Sequence, residues 1–104
     1  MGNKYRLKFT INALSTLEDV LKKPFGEVIL SFASGRISIK DLRALVYAGI
    51  IGGNKGLKSF TLEDAGNYID EVGIEKVAEM ISKAFEEAFA HSKEDNENGE
   101  EVKN

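Results

Sequence analysis

Apolar positions alternate with polar ones from Tyr5 to Ile11: Tyr5, Leu7, Phe9 and Ile11 are apolar, with Arg6, Lys8 and Thr10 between them. A period of two predicts a half-buried strand. A lone strand leaves backbone donors and acceptors to be matched, and no second strand is evident in the sequence. The segment is therefore either an edge used in oligomerisation or a strap packed over helices.

Beyond it the period becomes helical. Asn12 is a candidate N-cap for a helix carrying Leu14, Leu17 and Leu21. Pro24 ends that helix and suits the first turn of the next. Phe25, Val28, Ile29 and Phe32 give the second helix one apolar face, closed by Gly35. Ser38 with Asp41 opens a third helix in a weak capping-box pattern, with an inner stripe of Leu42, Leu45, Val46 and Gly49 and with Ile50 and Ile51 trailing. Gly52-Gly53-Asn54-Lys55-Gly56 reads as a loop.

Thr61 with Asp64 repeats the capping pattern ahead of Leu62, Ala65, Ile69 and Val72, and Gly73 is a natural C-cap. The fifth helix spans roughly Ile74 to Ala90. Its apolar positions are Ile74, Val77, Ala78, Ile81, Phe85, Ala88 and Phe89, with Met80 and Ala84 broadening the arc. From Ser92 the chain is polar and acidic, with almost nothing to bury, which predicts disorder. The expected architecture is mainly α: a small bundle of about five helices with one short N-terminal strand and a disordered acidic C-terminal tail. Residues 1–3 form a flexible N-terminus, 4–91 a single helical domain and 92–104 the tail.

Composition narrows the function. The chain has 104 residues, enough for one domain with its own core. It has no cysteine and one histidine, His91, so neither a disulfide framework nor an ordinary zinc site is expected. The acid pairs Glu18-Asp19, Glu63-Asp64, Asp70-Glu71 and Glu86-Glu87 are helical neighbours that diverge by about 100° and do not share a site. His91, where the last helix gives way to the tail, suits the helix dipole better than base catalysis. The Gly-rich stretch before Ser59 lacks the contiguous Gly-Lys-Ser/Thr of a phosphate loop, because Leu57 separates Gly56 from Lys58. No catalytic, cofactor or metal site is expected, and the chain reads as a binding protein.

No apolar run approaches the roughly 20 residues that span a bilayer, and the N-terminus has no signal-peptide pattern. Net charge is −3, yet residues 1–60 carry +6 and residues 61–104 carry −9. The two halves attract within one fold, form two solvated faces, meet head to tail between copies, or bind two partners of opposite sign. Residues 32–50 also permit a helix-turn-helix with Arg36, Lys40 and Arg43 facing phosphates. Three cations mixed with Asp41 are a thin basic surface, so nucleic acid is not the expected partner.

With the helices placed, the order of residues resembles a phage tail assembly chaperone of the kind found in gene transfer agents. The resemblance covers about residues 5–90. It runs through Leu7-Lys8-Phe9, Asn12-Ala13-Leu14, Leu17-Glu18, Gly35, Ser38, Leu42-Arg43-Ala44-Leu45-Val46-Tyr47-Ala48-Gly49, Leu62-Glu63-Asp64-Ala65-Gly66 and Ile69-Asp70. Two features depart from the family: a further strand before this one is missing, and Tyr47 stands where tryptophan is common.

The resemblance implies that the protein binds the tape measure protein, a long helical chain that sets tail length, and keeps it soluble until tail tube subunits polymerise around it. It implies action in the host bacterial cytoplasm, absence from the mature virion, and contact with the tail tube protein and a frameshifted longer form of itself. A homo-oligomer is compatible with this. The surface expected to bind is Met80, Phe85 and Phe89, with Tyr47 and Ile51; the competing reading places both phenylalanines in the core. The alternatives are a small structural or connector protein of a phage or prophage particle, and a helix-turn-helix regulator.

Overall fold

The computed structural model describes the backbone of residues 5–103 and the side chains of residues 5–90. Five helices follow one another: α1 (Ile11–Leu21), α2 (Phe25–Ala33), α3 (Ile39–Gly53), α4 (Leu62–Val72) and α5 (Ile74–Lys103). Local chemistry sets most of the boundaries. The Ser38 hydroxyl accepts from the Asp41 N–H and starts α3. Thr61 and Asp64 bond reciprocally in a full capping box at α4. Gly73, at φ 102°, lets α4 stop and α5 begin at once.

Two caps differ from expectation. Thr10, not Asn12, caps α1 by accepting from the Ala13 N–H at 3.0 Å. Pro24 is the N-cap residue of α2 and not part of its first turn. Having no acceptor of its own there, it leaves the Phe25 N–H to donate to the Glu18 carboxylate of α1 at 2.9 Å. The two helices are thereby tied.

α3 is the hub, packed against α1, α4 and α5. Its burial goes well beyond the stripe expected: Ala44, Leu45, Val46, Ala48 and Ile50 are all fully buried. Leu17 of α1, Val28 of α2 and Val77 and Ile81 of α5 close the core around it. Asp41 is buried as well, and Lys23 from the α1–α2 connection meets it at 2.9 Å.

The expected N-terminal strand is not present, and no strand occurs among the described residues. Residues 6–10 run as an irregular extended strap over α3, the second of the two alternatives. The alternation still holds, with Leu7 and Phe9 buried and Arg6 and Lys8 exposed. Its backbone is matched by a helix instead of a sheet. The Lys8 N–H donates to the Gly49 carbonyl at 3.0 Å. The Asn54 side chain donates to the Arg6 carbonyl at 2.7 Å, and its oxygen receives the Arg6 N–H at a longer 3.5 Å.

Such closeness requires a helix face without side chains. A Cβ on Gly52 would overlap the Lys8 carbonyl oxygen and lie 2.9 Å from the Ala13 Cβ, and one on Gly53 would overlap the Arg6 carbonyl oxygen. Gly52 and Gly53 are therefore the last turn of α3 and not the start of a loop, because tertiary contact outweighs the low helix propensity of glycine.

At the other end, the α5 backbone continues to Lys103, across the stretch where the sequence predicts disorder. Glu and Lys are good helix formers and no proline interrupts the run. Side chains beyond Ala90, and the expected flexible residues 1–3, lie outside the described residues.

Candidate functional site

The five residues expected to bind do not form one face. Phe85 is a core residue, 8% exposed, with ring centroids 4.7 Å from Phe9, 5.7 Å from Phe32 and 5.8 Å from Phe89. Phe89 is half-buried and borders an open groove of about 400 Å³ with Phe85, Glu86 and Ala90. These two are brought together. Met80 sits elsewhere on α5, its sulfur 4.0 Å from the Tyr68 hydroxyl, in a cleft shared with Arg6, Leu7 and Lys83.

Tyr47 stacks on Phe60 at 6.2 Å, and Phe60 in turn packs edge-on against Tyr5 at 5.3 Å. That aromatic group secures the strap and the α3–α4 connection. Ile51 is half-buried beside Thr10, Ala13 and Lys55. Tyr68 is buried between Tyr5 and α5, and burial, with Glu71 adding a smaller push, raises its hydroxyl pKa above the ordinary 10.0 against a backbone hydrogen bond from Tyr5 that lowers it.

Among the described residues the large apolar side chains most open to water are others: Ile11 (80% exposed), Leu30 (71%), Ile39 (67%) and Ile74 (53%). Pattern reading misplaces two of them for identifiable reasons. Ile11 continues the alternation of the strap, but the chain turns into α1 at Thr10, so the register that buries Leu7 and Phe9 ends one residue earlier. Ile74 is in phase with the inner stripe of α5, yet as its first residue it follows directly on the end of α4 and is left exposed among the described residues.

Ile39 and Ile74 stand on the rim of a groove of about 460 Å³ between α3, α4 and the start of α5. Ile69, Glu63 and Asp70 also line it. Arg43 passes along Gly66, where an added Cβ would lie in ordinary contact with the arginine Cδ at 3.4 Å. Its Nε is buried and has no hydrogen-bond partner among the described residues. An arginine sunk into this groove, and an α3 buried nearly all round, leave little of the helix that a DNA-reading element would have to present.

Among the described residues no group of three or more His, Cys, Asp or Glu could hold a metal ion. Among the described residues no helix is long and apolar enough to cross a membrane either. The side chain of His91 lies outside the described residues.

Fold and surface are those of a small helical module that presents several large apolar side chains to its surroundings. Residues 1–91 match the family described as phage tail tube protein, GTA-gp10, and the chain belongs to that family. It is thus a phage tail-related protein. No curated protein and no solved structure matches it.

Proposed function

We propose that this protein acts as a tail assembly chaperone, binding the tape measure protein and keeping it soluble until the tail tube forms. The observation that supports the reading is apolar surface that the protein's own core does not use, in a member of a phage tail family. Leu30, Ile39 and Ile74 are exposed, and the groove beside Phe85 and Phe89 lies open. Such surface can take the apolar face of an amphipathic helix. Several copies along one long helical chain would hold it by avidity while each contact stays weak enough to be displaced by tube subunits. The protein would work by binding and not by catalysis, in the host cytoplasm, and be absent from the finished particle.

The test is co-expression with a tape measure protein from the same phage or prophage, read by tagged pull-down and by the soluble fraction. Co-purification with a soluble tape measure protein is expected; an insoluble tape measure protein with nothing captured refutes the reading. The family's description as a tail tube protein favours a second reading, in which the chain is a structural part of the tail. Mass spectrometry of purified particles separates the two, because a structural component stays at stoichiometric amounts and a chaperone does not.

A further inference from the structure

We propose that the strap is a docking edge for an extended segment of another protein, which adds to it as a second strand. An extended chain directs the N–H and C=O of one residue to one side and those of the next residue to the other. The even residues of the strap face α3, where the Lys8 N–H reaches the Gly49 carbonyl and Arg6 exchanges hydrogen bonds with the Asn54 amide. The odd residues face the other way, where the Tyr5 backbone bonds to the Tyr68 hydroxyl of α4. Leu7 and Phe9 continue that edge. Their N–H and C=O groups have no hydrogen-bond partner among the described residues, although both residues are buried. Buried main-chain groups are nearly always paired, so this edge calls for a partner.

The edge opens on a cleft of about 330 Å³, with Tyr5 and Leu7 on one wall and Met80, Lys83, Ala84 and Glu87 of α5 on the other. A strand lying there would exchange main-chain hydrogen bonds with Leu7, and its side chains would alternate. One set would turn inward against Met80 and Ala84, and the next outward beside Arg6 and Lys8, which are exposed. The α5 wall contributes one charge of each sign, Lys83 and Glu87, so the strap cations set the preference.

The occupant is therefore a segment in which small apolar residues alternate with acids. The strap of a second copy does not fit, because it would set Arg6 and Lys8 against their own kind, and like charges across a strand pair are destabilising. A helix does not fit either, since its main-chain groups are already paired within it. The site is thus separate from the apolar surface that would take an amphipathic helix, and its failure would leave the chaperone reading standing.

The test is a short blocked peptide of alternating valine and glutamate, titrated into the isotope-labelled full chain and followed by its amide resonances. The Leu7 and Phe9 amides should shift and gain protection from hydrogen exchange, while the Lys8 amide, already bonded to Gly49, changes little. The chain is itself acidic, with net charge −3, so a preference for an acidic peptide cannot come from net charge. A valine–lysine peptide should bind more weakly. N-methylation of alternate residues along the pairing edge of the valine–glutamate peptide should weaken it roughly fivefold or more, as for loss of a hydrogen bond. Arg6→Glu and Lys8→Glu change exposed side chains and should leave the melting temperature unchanged. Each should weaken the valine–glutamate peptide roughly threefold to tenfold and strengthen the valine–lysine peptide.

Silence at Leu7 and Phe9 up to millimolar peptide would mean that water alone meets the edge, and overturns the inference. Equal binding of the N-methylated peptide does the same, because side chains alone would then hold it, as does equal binding of the lysine peptide. A Leu7 amide that moves with protein concentration in the absence of peptide also overturns it, since a second strap then takes the edge.

Discussion

Replacing Gly52 by alanine sets two effects of opposite sign against each other. In an exposed helix interior the change stabilises by about 1 kcal/mol, because alanine loses less backbone freedom. Here the new methyl group would overlap the Lys8 carbonyl oxygen, and the strap must lift. Full release would expose Leu7 and Phe9, now 7% and 4% exposed, at about 1.5–3 kcal/mol each. It would also lose the Lys8–Gly49 and Asn54–Arg6 hydrogen bonds at about 1 kcal/mol apiece.

A partial shift forfeits only part of this, so the net expectation is a destabilisation of about 2–5 kcal/mol. At about 4–8 °C per kcal/mol for a domain of this size, melting should fall by at least ~8 °C. Circular dichroism gives the melt, and hydrogen exchange should show early loss of protection at the Lys8 amide. Gly26→Ala is the internal control: it lies in α2 with nothing within 4 Å of the added Cβ, so stability should stay level or rise slightly. A Gly52→Ala protein as stable as Gly26→Ala would refute the close approach of strap and helix.

Phe85→Ala should cost about 3–5 kcal/mol, as for a buried core aromatic, while Phe89→Ser should cost much less and instead weaken capture of the tape measure protein; a chemical denaturation series beside the pull-down reads both. Lys23→Ala leaves the Asp41 carboxylate buried without its cation. Because Lys23 is itself more than a third exposed, solvent screening holds the loss to about 1 kcal/mol, measured by urea unfolding and isolated by a double-mutant cycle. Thr61→Ala removes half of the capping box and should cost about 1 kcal/mol in the same assay. Tyr68 ionises later in the folded chain than in the unfolded one. The stability this contributes is whole below pH 10.0 and is lost as pH rises through the higher folded value, so alkaline unfolding should be shallower in Tyr68→Phe.

Much of the architecture could be read from local chemistry. The boundaries at Ser38, Thr61 and Gly73 are set by side chains and backbone preferences acting within a few residues, and such interactions are written in the order of the sequence. The helical periods of α2, α4 and α5 follow for the same reason. The buried and exposed faces of the strap were also legible, since alternation requires only that one side of an extended chain be covered.

What covers it was not legible, because its hydrogen-bond partners Gly49 and Asn54 lie far along the chain from Lys8 and Arg6, with the Arg6–Asn54 pair 48 positions apart. Only the tertiary structure shows that Gly49, Gly52 and Gly53 form a bare helix face for the strap, and that Asn54 supplies the hydrogen bonds a second strand would have made. The binding surface has the same character. Phe85 and Phe89 share a helical phase, yet three-dimensional packing sinks the first among Phe9 and Phe32 and leaves the second at the margin. Met80, Tyr47 and Ile51, which share apolar character, are dispersed by it to separate places. Ile11 and Ile74 owe their exposure to where their elements end, and periodicity does not record which neighbour is absent at an end. Sequence determined the cores of the five helices and which residues prefer burial, because those preferences act locally; the fold decided how far α3 and α5 extend and which of those preferences could be met.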